Sequence, residues 1–409
     1  MFRRSVLAAS ALCAAAVSFG APAAARAQLL PPPGGTPAPA PLLPQPPETP
    51  PSLRVFEGNA MWIWVLASSS GGSPDRIAAR ARRTGIELVI LKGAEGTALW
   101  RQVSPALVRA LHARGLRVCA YQFIHGRRPR AEARTGARLA RRVDCLLLDA
   151  ETTYEGRYVS AQTYLRALRR RIGQGYPVGL TSFPYVHYHP AFPYSVFLGA
   201  GGAQFNVPQM YWRAIGTRVD RIFRLTYRHN RVYGRAIFPL GQVYDHPPPR
   251  EIRRFRAQAA ARGATGVSWW SWQAAGGRDF RALRSPFTPL AAPPADDGWP
   301  MLGRRSRGDL VVWAQQHLLA AGKPLRVTGT MTRATRVALR QFQRERRLPV
   351  TGVVDAATWP VLLAGGPAPV RWRRRGGAVA AGVAARSTPE PASARLPALR
   401  DELSGRAGR

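Results

Sequence analysis

Asp149 and Glu151 end a short apolar run, Asp144-Cys145-Leu146-Leu147-Leu148-Asp149-Ala150-Glu151. A run of this length followed by a loop reads as a strand buried on both faces. Side chains alternate along a strand, so the two carboxylates point to the same side. Two carboxylates on one face at the end of a buried strand are costly unless they are used or paired. Glycoside hydrolysis uses such a pair, with one acid kept protonated and one kept ionised. The alternative use is structural: Asp149 caps the next helix and Glu151 bonds a neighbouring loop.

The elements that must position this pair are read from period and punctuation. Eight stretches read as strands: Met61–Leu66, Glu87–Lys92, Leu116–Ile124, Cys145–Asp149, Val178–Phe183, Gln204–Tyr211, Ala236–Gln242 and Gly266–Trp272. Helical patterns lie between them, at Pro74–Thr84, Pro105–Ala113, Ala131–Arg142, Ala161–Ile172, Arg218–Tyr227 and Arg250–Arg262. Ser73-Pro74 and Ser104-Pro105 place a capping Ser before Pro at the first helical position. Gly85, Gly115 and Gly263 follow helices, where a left-handed residue is wanted. Eight strand-then-helix units predict an α/β fold, a (β/α)8 TIM barrel, whose active site lies at the carboxyl ends of the strands.

The residues at those ends are rich in aromatics, amides and acids. Strand by strand they are Trp62, Trp64 and Ser68; Lys92 and Glu95; Tyr121 and His125; Asp149 and Glu151; Gln209, Tyr211 and Trp212; Gln242 and Asp245; and Trp269, Trp270, Trp272 and Gln273. Aromatic faces stack on sugar rings, while amides and carboxylates bond hydroxyls. Any single Trp also serves as ordinary core. The substrate-binding expectation falls on Trp62, Trp64, Glu95, Tyr121, Gln209, Tyr211, Asp245, Trp270 and Trp272, with Glu151 and Asp149 as the catalytic candidates.

The chain has 409 residues and a formal net charge of +38 at pH 7. Lys92 and Lys323 are the only lysines, so nearly all of the positive charge is Arg. A surface this cationic attracts anionic polymers or acidic lipid headgroups. No Cys/His spacing suggests a metal site, and no cofactor is implied. Cys119 and Cys145 both fall in expected strands. They are either a disulfide, if those strands are neighbours in an oxidising compartment, or two buried thiols. Cys119 with His125 is the one pair that suggests a thiol nucleophile, and Cys119 falls mid-strand.

Residues 1–27 read as a secretory signal peptide: a basic start at Arg3-Arg4, an apolar Ser5 to Phe19, and an Ala25-Arg26-Ala27 cleavage site. The apolar run is too short for a confident membrane span, so no integral membrane segment is expected in the mature chain. The product is expected to be exported, to the periplasm, the wall or outside. Export also argues against nucleic acid as the partner of the basic surface. Residues 28–54 form a Pro/Ala-rich linker, 55–290 the barrel, 291–300 a second linker, 301–365 a smaller helical unit, and 366–409 a basic disordered tail. The linkers are expected to let the barrel search along a polymer.

The smaller unit has an internal repeat. Val327-Thr328-Gly329-Thr330-Met331-Thr332-Arg333-Ala334-Thr335 aligns with Val350-Thr351-Gly352-Val353-Val354-Asp355-Ala356-Ala357-Thr358. In each copy a Gly turn precedes a helix capped by Thr332 or Asp355. One helix has an apolar stripe at Leu310, Trp313 and Leu318, the next at Val337, Leu339 and Phe342. This unit resembles the all-α, three-helix peptidoglycan-binding domain of many wall hydrolases. The residues that carry the resemblance are Gly308-Asp309, Gln315, Gly329, Thr335, Phe342-Gln343, Leu348, Gly352, Asp355, Thr358 and Trp359. It implies peptidoglycan or a related wall polysaccharide as partner.

Leu91-Lys92-Gly93-Ala94-Glu95-Gly96, Val118–Ile124, Leu148-Asp149-Ala150-Glu151 and Trp272-Gln273 resemble strand ends of the family 25 glycoside hydrolases, the barrel-type lysozymes. That resemblance implies Glu151 as the general acid and Asp149 as the group that assists the developing charge or the acetamido group. Gln209-Met210-Tyr211 is similar to chitinase-type barrels, in which the substrate acetamido acts as nucleophile. The first strand departs from the lysozyme pattern, since Trp62-Ile63-Trp64-Val65-Leu66 has no acid. Asp245 and Glu95 are the candidate substitutes. Two functions follow from these residues: a wall-glycan hydrolase held at its polymer by the C-terminal unit, or a barrel that binds sugar without turning it over.

Overall fold

The computed structural model describes residues 51–290 and 295–373. The expected signal peptide, the spacer up to Pro50 and the tail beyond Arg373 lie outside the described residues. The spacer ends earlier than its composition suggests. Pro51–Phe56 forms a 3-10 turn whose Leu53 and Phe56 are buried, and the Phe56 ring lies 5.1 Å from both Phe205 and Phe238. An apolar pair in a Pro-rich frame thereby joins the barrel interior at the amino ends of the strands.

The strands are β1 (Gly58–Ile63), β2 (Leu88–Glu95), β3 (Ala98–Leu99), β4 (Arg117–Ile124), β5 (Cys145–Ala150), β6 (Val178–Ser182), β7 (Phe205–Pro208), β8 (Ala236–Ile237), β9 (Leu240–Gln242) and β10 (Gly266–Trp270). All but β3 pair in parallel, in the order β8-β7-β6-β5-β4-β2-β1-β10-β9. Phe238 and Pro239 separate β8 from β9, and Pro has no N–H to give a ladder. The two pieces act as one barrel strand. A parallel bridge from Gln209 to Leu240 ties β7 to β9 and closes the ring. The result is the expected eight-stranded α/β barrel.

The helices are α1 (Pro74–Thr84), α2 (Pro105–His112), α3 (Pro129–Ala140), α4 (Tyr158–Ile172), α5 (Tyr194–Phe197), α6 (Val219–Asn230), α7 (Pro249–Ala260) and α8 (Gly277–Ala282), followed by α9 (Asp309–Ala320), α10 (Arg333–Glu345) and α11 (Thr358–Leu363). Ser104 caps α2, accepting from Leu107 N at 3.1 Å, and Gly85 ends α1 in the left-handed region at φ 63°.

Alternation along the parallel strands divides the apolar residues into two groups. Ala60, Trp62, Leu88, Ile90, Tyr121, Leu147, Val207 and Leu240 fill the barrel interior. Met61, Val89, Leu91, Val118, Leu146 and Leu148 face the surrounding helices. Cys119 and Cys145 are register partners on β4 and β5 and form a disulfide inside the barrel. That bond removes Cys119 as a nucleophile.

Two of the differences from the sequence reading concern the mouth and the C-terminal unit. β1 begins at Gly58, whose N–H donates to Thr265 O, so pairing starts three residues before Met61 and ends at Ile63. Trp64 therefore lies beyond the strand. Val337 does not belong to the apolar stripe of α10, being 56% exposed, because its buried face is Thr335, Ala338, Leu339, Phe342 and Gln343.

Two residues of the expected linker before the C-terminal unit contact the barrel. Asp297 receives a two-pronged contact from Arg262, at 2.6 Å to each oxygen, and Arg231 lies over the Trp299 ring at 4.2 Å. These contacts hold 295–299 against the ends of α6 and α7. The first residues of the expected disordered tail are also placed. Gln162 of α4 donates to Val370 O and accepts from Trp372 N, and the Trp372 ring packs 4.6 Å from Tyr158. Burying one aromatic ring against another stabilises the docked segment.

Candidate active site

β5 carries Asp149 inward, on the same alternation that places Cys145 and Leu147 in the barrel interior. Glu151 follows where the strand ends. The Gln209 amide nitrogen lies 3.3 Å from Asp149 Oδ1 and 3.3 Å from Glu151 Oε1. One donor thus reaches both carboxylates, which places them on one face of the mouth. Gln209 holds that position because its own N–H donates to Ser182 O and the strand bridge to Leu240 begins there.

Tyr211 completes this side. Burial pushes its hydroxyl well above the ordinary tyrosine range, and the nearby Tyr244, Asp149 and Glu151 push it further. Tyr244 packs edge-on against Tyr211 at 5.5 Å. Tyr244 was not singled out from the sequence; alternation from Gln242 marks it as a same-face residue.

Across the mouth stands an aromatic wall. Trp62 lies 5.0 Å from Tyr121 and 5.8 Å from Trp270, and Trp64 lies 6.4 Å from Trp270. Trp64 is held by side-chain amides: its N–H donates to Gln273 Oε1 at 3.3 Å, and its carbonyl accepts from Gln102 at 2.8 Å. Gln102, whose contribution a motif search does not reveal, also donates to Lys92 O at 2.7 Å and accepts from Leu66 N at 2.9 Å. Trp62 Nε1, Thr181 Oγ1 and Tyr244 OH are buried without a protein partner among the described residues. Thr181 is the register partner of Asp149.

β2 contributes a bulge. Register shifts between Lys92 and Ala94, so Lys92 pairs with Tyr121 while Ala94 pairs with Gln122. Gly93 sits in the bulge, where an added Cβ would lie 2.5 Å from Leu139. A bulge re-aims side chains. Without it, alternation would turn Glu95 away from Lys92; with it, the two form an ion pair at 2.9 Å. Lys92 is buried and its ammonium lies 5.1 Å from the Trp100 ring, 5.4 Å from Tyr121 and 5.5 Å from Phe123. Glu95 also approaches His125 Nε2 at 3.8 Å.

Three expected rim residues turn elsewhere. Trp272 is buried outside the mouth, packed 5.3 Å from Phe280 with its N–H on Ser70 Oγ at 3.2 Å, because the chain leaves β10 at Trp270 and turns back. Trp269 faces the helix layer, donating to Asn59 Oδ1 at 2.8 Å beside Phe255. Trp212 packs against Phe255 and donates to Glu251 at 2.8 Å. Alternation explains Trp269, since its neighbour Trp270 takes the inward position. Asp245 is exposed on the loop after β9, within 3.4 Å of the Gln242 amide. Glu95 is bonded to Lys92 on β2, two strands from the Asp149 pair.

Residues 307–362 match the family model of a putative peptidoglycan binding domain. No curated protein matches the chain. Among solved structures, the Burkholderia AP3 phage endolysin is similar at 34% identity over 17% of this chain and 27% of that one, with a TM-score of 0.16. The chain therefore spans about a quarter of the endolysin's length. A chitinase from Chromobacterium violaceum is similar at 11% identity, over 56% of this chain and 98% of that one, with a TM-score of 0.43. A family 25 glycosyl hydrolase from Bacillus anthracis is similar at 13% identity, over 38% and 72%, with a TM-score of 0.28. No described helix is long and apolar enough to cross a membrane.

Proposed function

We propose that the protein is an exported hydrolase of wall glycan, held at peptidoglycan by its C-terminal unit, with Glu151 as general acid. The observation that carries this reading is the pair of carboxylates within 3.3 Å of one amide at the barrel mouth, facing an aromatic wall. Glycosidic cleavage needs a proton delivered to the leaving oxygen and negative charge opposite the oxocarbenium-like centre. Glu151, beyond the strand end, delivers the proton. Asp149, buried behind it, offsets the developing charge or orients an acetamido group. Gln209 holds the two acids in register. Trp62, Trp64, Tyr121 and Trp270 stack on sugar rings, and the unpartnered Trp62 Nε1, Thr181 Oγ1 and Tyr244 OH bond sugar hydroxyls. The match of residues 307–362 supports peptidoglycan as the polymer and the wall as the place.

A second reading has one observation in its favour. β1 brings Trp62 to the mouth and no acid, which suits a barrel that binds wall sugar without cleaving it. Reducing-end release from purified peptidoglycan separates the two. Wild type should release reducing ends and Glu151→Gln should not, while both co-sediment with the wall. If neither protein releases reducing ends and both still co-sediment, the hydrolase reading fails and the binding reading stands.

A further inference from the structure

Asp309 opens α9, where an acidic side chain ordinarily stays with its own helix, bonding free N–H groups or complementing the helix dipole. Here it leaves that helix altogether. Oδ1 accepts from Tyr158 OH at 2.8 Å and from Ser195 Oγ at 2.6 Å. Oδ2 accepts from Ser195 N at 2.7 Å and from Tyr233 OH at 2.8 Å. Its own N–H donates to Pro190 O at 2.8 Å. Every one of these partners belongs to the barrel: the start of α4, the start of α5, the turn after α6 and the loop before α5.

The surroundings are shaped for this entry. Gly308, at φ 107°, lies so close to Pro190 that an added Cβ would sit 2.5 Å from the Pro190 side chain and 2.7 Å from its carbonyl. One helical turn on, Trp313 Nε1 donates to Val232 O at 2.7 Å. Asp309 is fully buried, and no Arg or Lys bonds it among the described residues. The titratable groups that face it are the phenols of Tyr158 and Tyr233. Tyr194 stacks on Tyr233 at 5.7 Å. Beyond Pro190, His189 is bonded to Glu155 at 2.8 Å. On α9 itself His317 lies two turns further, packed on Trp313. None of these supplies a bonded cation.

We infer that the barrel flank formed by α4, α5 and the turn after α6 is a docking surface for the C-terminal unit, and that Asp309 is an acid-strengthened latch on it. The chemistry is that of a carboxyl group taken out of water among neutral hydroxyls. Burial raises its pKa from 3.8 to about 6, and the bonds from Ser195, Tyr158 and Tyr233 only partly oppose this. The docked state thus binds the proton more tightly than the undocked one. Its contribution to docking is fully present below the undocked value of 3.8 and is lost as pH rises through about 6. The shift corresponds to a change on the order of a hundredfold in the ratio of docked to undocked molecules. With the latch closed, the barrel mouth and the wall-binding unit keep one fixed separation. With it open, the covalent connection, the contacts of Asp297 and Trp299 with the barrel and the 366–373 segment relate them.

Hydrogen exchange of the full chain tests this, read on peptides covering 192–198 and 308–318 from about pH 4 to about pH 8, with β4 and β5 peptides correcting for intrinsic exchange. In wild type the protection of both seam peptides should fall progressively from about pH 4, on the order of a hundredfold in all, and level off above about 6. Asp309→Asn should show a flat profile. Tyr233→Phe removes a donor that favours the ionised carboxylate and should move the pH at which the fall levels off upward. A flat wild-type profile overturns the proposal, and so does an Asp309→Asn profile that falls as wild type does. If Asp309→Asn fails to fold, the wild-type and Tyr233→Phe profiles decide: two profiles that level off at the same pH overturn the latch, and an upward shift supports it.

Discussion

The barrel mouth and the seam between barrel and C-terminal unit both bury carboxylates, and they treat them differently. At the seam, Asp309 takes four hydrogen bonds from three barrel elements, in a closed cage of hydroxyls and one backbone N–H. At the mouth, Asp149 and Glu151 stand side by side with the Gln209 amide reaching both at 3.3 Å, in a setting that also leaves Trp62 Nε1, Thr181 Oγ1 and Tyr244 OH without partners among the described residues. Glu132 is a third case: buried, with its oxygens on the N–H groups of His125, Gly126 and Arg128 at 2.9 to 3.0 Å. A carboxylate enclosed by backbone and hydroxyl donors organises structure. A pair of carboxylates beside unpartnered donors and aromatic faces is arranged for something that comes and goes. Burial alone does not separate the two classes; the groups that surround the carboxylates do.

The largest effect should come from the mouth. Asp149→Asn keeps the shape of the side chain and removes its charge. Glycan cleavage, measured as reducing ends released per enzyme, should fall on the order of 10²- to 10⁴-fold. The thermal midpoint should move little, since an amide still fits beside Gln209. A variant that retains full turnover would place Asp149 with the structural carboxylates and break the contrast.

Glu132→Ala should do the reverse. It strands three backbone N–H groups of the loop after β4, each of which then lacks a protein partner. The expected cost is about 3 kcal/mol of unfolding free energy, read from chemical denaturation. Turnover of the folded fraction should change far less than in Asp149→Asn. A loss of turnover without a loss of stability would move Glu132 into the site.

What the sequence made legible follows the same division. The barrel could be read from eight apolar runs and the helix starts between them, because parallel strands buried on both faces leave a continuous signal. The pairing of Asp149 with Glu151 was visible because period 2 is strict along a strand. Three things were hidden. The bulge at Gly93 shifts the inward face by one residue, and a single Gly in an apolar run does not announce which strand partner it will oppose. Trp272 reads as a rim residue until the turn after Trp270 is seen. Asp309 reads as part of a domain signature, and nothing near it in sequence indicates that Tyr158, Ser195 and Tyr233 will converge on it from 76 to 151 residues away. Local chemistry is written locally, whereas contacts between segments far apart in the sequence are not.

The internal repeat of the C-terminal unit sharpens the contrast on its smallest scale. Gln315 accepts from the N–H groups of Thr328 and Gly329 at 2.9 Å and donates to Thr328, Thr330 and Thr335. Gln343 repeats this with Gly352, Thr351, Val353 and Thr358, but the N–H of Thr351 turns to Pro349 O instead. The first copy therefore holds one more backbone donor. It also reaches the seam, because Gly329 O accepts from Gly308 N, next to Asp309. Gln315→Ala should cost about 2 kcal/mol and Gln343→Ala about 1 kcal/mol in denaturant unfolding. Only the first should lower the exchange protection of Ser195 and its neighbours on α5. Equal protection losses from both variants would mean that the two copies couple to the barrel alike, and that the Gly308–Gly329 contact does not transmit order from the repeat to the seam.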